Sequence, residues 1–263
     1  MFLPQKWQYS GFQLTGHPPM TVSETEYLAS YNIHDFDIPL TSVDVVIFTL
    51  HENKLKALIV KRAEHPFMHH WALPGGFSDL QLDDSIEQTA YRKLFEKTQV
   101  SSPYLEQLET VGNNKRDPRG WSTTIVYFAL IASDNVTLQS GSGTSDVKWL
   151  DIETSWPQLA FDHAELLKNA ITRLRNKVEY TNLPLHLLPQ SFTLSELQNV
   201  FEIVLGRKVD KSAFRRRIRE AALLEEIPGK MRLGNNRPAQ MYQAKAENYC
   251  HYFSRNIIGK TTK

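Results

Sequence analysis

Residues 73–100 read LPGGFSDLQLDDSIEQTAYRKLFEKTQV, and this stretch decides the fold. Pro74, Gly75 and Gly76 mark a turn between apolar runs. Asp84, followed three residues later by Glu87, has the spacing of a capping box, which opens a helix by satisfying its first free N–H groups. Ile86, Ala90 and Leu94 then recur at i, i+4 and i+8, so one stripe of this helix is expected to be buried. On another face Lys93 neighbours Glu96 and Lys97, three and four residues on. A hard divalent cation needs several oxygen ligands in near-octahedral array. Here it meets one carboxylate and two ammonium groups, which repel it.

The flanks supply strands. Residues 42–50 (SVDVVIFTL) and 55–62 (LKALIVKR) are rich in β-branched side chains, and the polar HENK at 51–54 joins them as a hairpin connection. Residues 121–131 and 146–152 (DVKWLDI) add further strands. Strands, one helix, more strands and a closing helix predict an α/β sandwich.

The 263 residues, 41% of them hydrophobic, suffice for two modest domains with real cores. The single cysteine, Cys250, cannot close an internal disulfide, so a reducing compartment and a cytoplasmic location are expected. The sequence has no apolar run of membrane-spanning length and no secretory pattern at its start, and no membrane partner is expected. A net charge of +1 hides segregation. Residues 206–237 carry ten basic side chains against four acidic ones, so the remainder is net acidic. Such a block is the electrostatic footprint of a nucleic-acid-binding module.

Its organisation supports that reading. TLSE at 193–196 is a second capping box, and Leu194, Leu197, Val200, Phe201, Val204 and Leu205 keep a 3-4 spacing until Gly206 ends the helix. Asp210 can cap a further helix in which Phe214, Ile218 and Ala221 share one face, while Ser212, Arg215, Arg216 and Arg219 lie on or near the opposite one. Two capped helices joined by a short turn predict a helix-turn-helix whose second helix enters the major groove. Pro228 and Gly229, and then GNN at 234–236, read as turns around a short strand at 230–233, with 237–242 returning as a second strand; together they form a wing. Arg216 and Arg219 are the candidates for base edges, since arginine pairs bidentately with guanine. Lys211, Arg215, Lys230, Arg232 and Arg237 are expected on phosphates.

Residues 76–100 resemble the Nudix box, whose pattern is Gly, five residues, Glu, seven residues, then Arg-Glu-apolar-x-Glu-Glu-x-Gly-apolar. Arg92, Leu94 and Glu96 fit. Lys93 and Lys97 stand where metal-binding glutamates belong, Gln99 replaces the glycine, and Asp84 is the nearest match to the upstream glutamate, displaced by two residues. NNKRDPRG at 113–120 and LAFDHAELL at 159–167 are similar to segments of the ADP-ribose-binding branch of that family. FTLSELQNVFEIVLGRKVDKSAFRRRI at 192–218, with RPA at 237–239, resembles the Nudix-related transcriptional regulators of NAD metabolism, the NrtR family; the likeness covers residues 42–242.

This resemblance implies an α+β chain with an N-terminal Nudix α/β/α sandwich and a C-terminal winged helix-turn-helix domain. The expected divisions are an N-terminal extension at 1–40, a ligand-sensing domain at 41–182, a DNA-binding domain at 183–247 and a tail at 248–263. It further implies a homodimeric repressor on double-stranded operator DNA that lets go when ADP-ribose or a related nucleotide binds. Arg62, Phe67, Lys93, Glu96, Lys97, Arg116 and Arg119 are the expected ligand residues, the arginines offering planar forks to a diphosphate. Phe67 and Trp71 could stack on an adenine or belong to the core, and Asp162 with Glu165 reads equally as a helix cap. No catalytic or metal-binding residue and no Mg2+ are expected. The rival reading is an ADP-ribose pyrophosphatase using Glu96. Residues 169–180, near the domain junction, are a candidate for coupling ligand to DNA release.

Overall fold

The computed structural model describes residues 22–100, 104–141, 143–233, 238–245 and 250–254. Arg237 and the expected turn at 234–236 lie outside them. The chain divides into a unit at 1–38 and a unit at 39–263. The first contains helix α1 (Glu24–Ser30), within the expected N-terminal extension. Ser23 and Glu26 form its capping box, and the Tyr31 ring sits 5.6 Å from Tyr27 and 5.8 Å from Phe36.

The second unit begins with β1 (Leu40–His51), β2 (Lys54–Arg62), β3 (Trp71–Ala72), β4 (Gly75–Phe77) and α2 (Ile86–Thr98). After these come β5 (Tyr104–Asn113), β6 (Ser122–Leu130), β7 (Thr144–Asp151) and α3 (His163–Val178). A 3-10 turn (Leu183–Leu187) leads to β8 (Phe192–Thr193), α4 (Leu194–Leu205), α5 (Lys211–Glu220), β9 (Leu224–Arg232) and β10 (Ala239–Ala244).

Strand β1 organises the first sheet, whose order is β3-β2-β1-β6-β5, with β4 also on β1 and β7 on β2. It runs parallel to β6 and antiparallel to β2 and β4. Because successive strand side chains point to opposite faces, Val43, Val45 and Ile47 pack with Ala90 and Leu94 of α2, while Val46 and Phe48 pack with Leu166, Ala170 and Leu174 of α3. The expected sandwich is thus formed. Its α3-side core does not stop at the domain junction: the same buried cluster includes Leu197 and Phe201 of α4 and Phe214 and Ile218 of α5. The C-terminal part adds a three-stranded sheet in the order β8-β10-β9.

Local chemistry explains the joints. The β1–β2 turn places Glu52 and Asn53 at φ 55° and 56°, the left-handed pair of a tight hairpin. Thr193 and Glu196 form the expected capping box, Gly206 ends α4 at φ 70°, and the Asp210 carboxylate accepts the Ala213 N–H at 2.7 Å. At the end of α2, Gln99 takes the same left-handed position (φ 59°) without being glycine.

Five expectations are corrected. Ser85, not Asp84, caps α2, because its hydroxyl accepts the Gln88 N–H at 3.2 Å whereas Asp84 offers only its backbone N–H to Gln88. Gly75 and Gly76 are strand residues paired with β1; a Cβ on Gly75 would lie 2.5 Å from the Val43 carbonyl oxygen, so close sheet packing demands glycine there. Pro228 and Gly229 lie inside β9, where the ladder to β10 slips between Gln240 and Tyr242; this bulge tolerates a residue without an N–H. Asp162 precedes α3 but makes no side-chain cap bond. Cys250–Ser254, expected in a tail, docks on the domain junction, with Phe253 N–H on the Tyr180 carbonyl at 2.8 Å.

Phe201 is fully buried and meets Phe214 edge-on at 5.2 Å. Its replacement by alanine is expected to cost about 3–5 kcal/mol and, because one core serves both domains, to lower a single melting transition in calorimetry rather than one of two.

Candidate ligand cavity and nucleic-acid interface

The first site is a cavity of about 230 Å3 beneath α2, bounded by β1, β2, β4 and the start of α3. Helix α2 is held over it by Asp83, whose carboxylate takes Arg92 Nε at 2.8 Å and Nη2 at 2.5 Å, Thr89 Oγ1 at 2.9 Å and the Asp79 N–H at 2.8 Å. The partner of Arg92 from the preceding loop is therefore Asp83. Arg92 also donates to Glu96 at 2.9 Å, and Lys93 reaches the other oxygen of Glu96 at 3.3 Å. Glu96 thus has two cations already upon it.

Lys97 is the sharper feature. The residue is buried, and its ammonium donates to the Thr144 hydroxyl at 3.1 Å. Among the described residues no carboxylate lies within ion-pair distance of it. Burial accordingly lowers its pKa, with Glu96 opposing and Lys93 reinforcing the effect. A charge desolvated without a paired anion is costly, so this group is stabilised when an anion enters.

The expected arginines line the cavity, but their forks are already engaged. Arg116 is buried, donates to Asp162 at 2.9 and 3.0 Å, and reaches Asp44 at 3.4 Å. The carboxylate of Asp162, read as a possible cap, is thereby the partner that immobilises Arg116. Arg62 donates to the Pro66 carbonyl at 2.7 Å and lies 5.0 Å over the Phe161 ring. Arg119 clasps Asp117 at 2.7 Å and covers Phe77. Phe67 is displaced from the cavity wall: it packs edge-on behind Phe161, with 4.7 Å between ring centres. Trp71 is outside the lining too, under Lys148 at 4.1 Å.

The residue patterns missed Asp44, Phe161 and His163. Asp44 is buried in the middle of β1, accepts Thr124 Oγ1 at 2.8 Å and stands 3.7 Å from His163 Nε2. Its signal was visible as a lone carboxylate within SVDVVIFTL. His163 Nδ1 accepts the Leu73 N–H at 2.8 Å, and burial lowers its pKa. The ring is therefore neutral with its proton on Nε2, and it fixes the chain entering β4.

The second site is α5 with its wing. Phe214 and Ile218 are buried as expected, while Lys211, Ser212, Arg216 and Arg219 are exposed and Arg215 is half-buried. Arg216 is held only loosely, 4.0 Å from Glu220. On β9, Lys230 and Arg232 are exposed; Lys230 donates to Ser191 at 3.2 Å, and Arg232 stands 3.4 Å from Glu196. Arg217 points inward, away from this cationic row.

A sandwich with a cationic cavity under its loop-pinned helix, sharing a core with a capped helix pair and a small wing sheet, defines a Nudix domain fused to a winged helix-turn-helix. The signature described as NUDIX domain matches residues 40–170, and that described as NrtR DNA-binding winged helix domain matches residues 184–244. The ADPR responsive transcriptional repressor NtrR of Acinetobacter baylyi is 44% identical over 236 residues, which cover 89% of this chain and 94% of that protein. NrtR of Shewanella oneidensis, solved with a 27mer DNA, matches with a TM-score of 0.75 and 45% identity over 82% of this chain and 98% of its own. The NUDIX domain of that regulator, solved with ADP ribose, matches with a TM-score of 0.52 and 49% identity over 58% of this chain and 99% of its own. The chain belongs to the NrtR family of Nudix-related transcriptional regulators. No helix among the described residues is long and apolar enough to cross a membrane.

Hydrogen bonds from Arg92 hold Asp83 well below the usual carboxylate range. A folded-state value below the unfolded one contributes stability above the unfolded pKa, about 3.9, and loses it as pH falls through the folded value. Asp83→Asn is expected to lower stability by about 2 kcal/mol at neutral pH, with the gap from wild type closing below about pH 4. Denaturant melts across this range check it, and a gap independent of pH contradicts the pairing.

Proposed function

We propose that the protein is an ADP-ribose-responsive transcriptional repressor of NAD-metabolism genes, acting in the cytoplasm as a homodimer on operator DNA. The observation that carries the ligand half is Lys97, a buried ammonium at the cavity wall whose hydrogen-bond partner is a neutral hydroxyl. A diphosphate supplies the missing negative charge. The DNA half is supported by the exposed Arg216 and Arg219 on the second helix of the pair and by the relative solved with a 27mer DNA. The named ADPR response of the Acinetobacter relative supports the link between the halves.

The same geometry argues against hydrolysis. Magnesium favours oxygen ligands and keeps several waters. The α2 face offers it one carboxylate, Glu96, already bound by Arg92 and Lys93, next to the ammonium of Lys97. These donors do not fit the ion, and ligand binding without Mg2+ follows from the reading.

Release from DNA requires that ligand favour the DNA-incompetent arrangement, since equal affinity for both arrangements shifts nothing. In a dimer, the two recognition helices must meet major grooves about 34 Å apart, so a modest change in the relative placement of the two subunits suffices.

A gel-shift assay with duplexes from upstream of NAD-biosynthesis and salvage genes, titrated with ADP-ribose, tests the whole reading; a complex unaffected by the nucleotide refutes it. ADP-ribose incubated with Mg2+ is expected to remain intact, and turnover abolished by Glu96→Gln would establish the pyrophosphatase instead. Lys97→Ala is expected to weaken ADP-ribose binding at least about tenfold in calorimetric titration. Arg216→Ala or Arg219→Ala is expected to cost roughly 1–3 kcal/mol of operator affinity and to relax sequence preference.

A further inference from the structure

Helix α3 links the two sites physically. Its first residue, His163, lines the cavity, and Glu179, which follows its last turn, lends its carbonyl to Arg217 Nη2 of α5 at 3.2 Å. Sixteen residues of α-helix span about 24 Å, so a shift at the cavity end is carried to the recognition helix by one rigid element.

Among the described residues, Arg217 is the only one of the three consecutive arginines of α5 tied in this way. Its guanidinium also lies 4.0 Å from the centre of the Phe253 ring. Phe253 belongs to the short segment that returns to the domain junction, and three hydrogen bonds hold that segment there. Phe253 N–H donates to the Tyr180 carbonyl at 2.8 Å, and Asn182 N–H to the His251 carbonyl at 3.2 Å. These two bonds make an antiparallel bridge between Thr181 and Tyr252, and His251 N–H donates to Asn182 Oδ1 at 2.7 Å. Phe253 and Cys250 also pack on the core that α3, α4 and α5 share. A flat guanidinium over an aromatic face, partly shielded from water, is a favourable contact. Burial lowers the Arg217 pKa to about 10, which leaves it charged at neutral pH.

The geometry points to residues 250–254 as a strap, and to Arg217 and Phe253 as the positioning residues through which α3 reports cavity occupancy to the recognition helix. Arg217 is turned to the domain junction by Glu179 and Phe253, and in this role it sets where Arg216 and Arg219 stand. The inference rests on the ADP-ribose-responsive reading and adds to it the residues that couple the two sites.

The test uses the full-length protein and the duplex that wild type binds. Its Kd is measured over a series of salt concentrations, with and without ADP-ribose, for wild type, Phe253→Ala, Phe253→Leu and Arg217→Gln. Phe253→Leu keeps apolar packing and removes only the ring face, so it covers the case in which the alanine variant fails to fold. The expected result is that the ADP-ribose-induced loss of duplex affinity shrinks at least about fivefold in each folded variant, within the usual range of allosteric coupling. The salt slope is expected to stay at the wild-type value, because no phosphate contact is removed. A slope lowered by about one in Arg217→Gln would mean that Arg217 holds a phosphate, and the inference would be wrong. Variants that respond to ADP-ribose as wild type does overturn it as well. A wild type indifferent to ADP-ribose removes the functional reading itself, and the strap then has no signal to carry.

Discussion

Everything in the second unit depends on α3 burying one apolar stripe in a core that the sheet and the C-terminal helices share. Leu166, Ala170 and Leu174 are fully or almost fully buried in the core that contains Val46 and Phe48 of the mixed sheet, and that core continues into Leu197 and Phe201 of α4. Apolar burial of this kind is the largest favourable contribution to folding. It also leaves the two domains without an aqueous gap across which they could move independently. A Nudix domain and a winged helix-turn-helix domain that share side chains in one core sense each other's strain, since close-packed interiors transmit displacement rather than absorb it.

The electrostatics of the cavity are set by the helix above it. The clamp of Asp83 on Arg92 keeps α2 over the cavity. Lys93 satisfies Glu96, and Lys97 is left with a hydroxyl. Meanwhile the arginines that seemed suited to phosphate are already committed to Asp162, Asp117 and backbone carbonyls. The cationic surplus therefore resides in Lys97 on α2 and in Arg62, whose hydrogen bonds go to carbonyls, while Arg116 and Arg119, paired with carboxylates, shape the walls.

On the DNA side the division of labour runs along a single helix. Arg216 and Arg219 face outward, Phe214 and Ile218 face the core, and Arg217 faces the domain junction. The 3.6-residue period assigns three neighbouring arginines to different directions. Their chemical identity is the same, and their neighbours differ.

Much of this was legible in the sequence because it is local. The strands at 42–50 and 55–62, the Thr193–Glu196 cap, the Gly206 stop, the buried Phe214 and Ile218 and the charge segregation all depend on residues within a few positions of one another. The two-domain order followed from the same marks. Local spacing misled where two adjacent residues offered equivalent chemistry: Asp84 had a cap's spacing, but Ser85 had the geometry and Asp83 the salt bridge. Partnership across distance came from the folded chain alone. Asp44 meets Arg116 72 residues away, Arg116 takes Asp162, Phe161 displaces Phe67 from the cavity wall, and Phe253 comes back to cover Arg217. A side chain's partner across a sheet or a domain junction is set by register and packing, and neither can be computed from the spacing of residues along one segment.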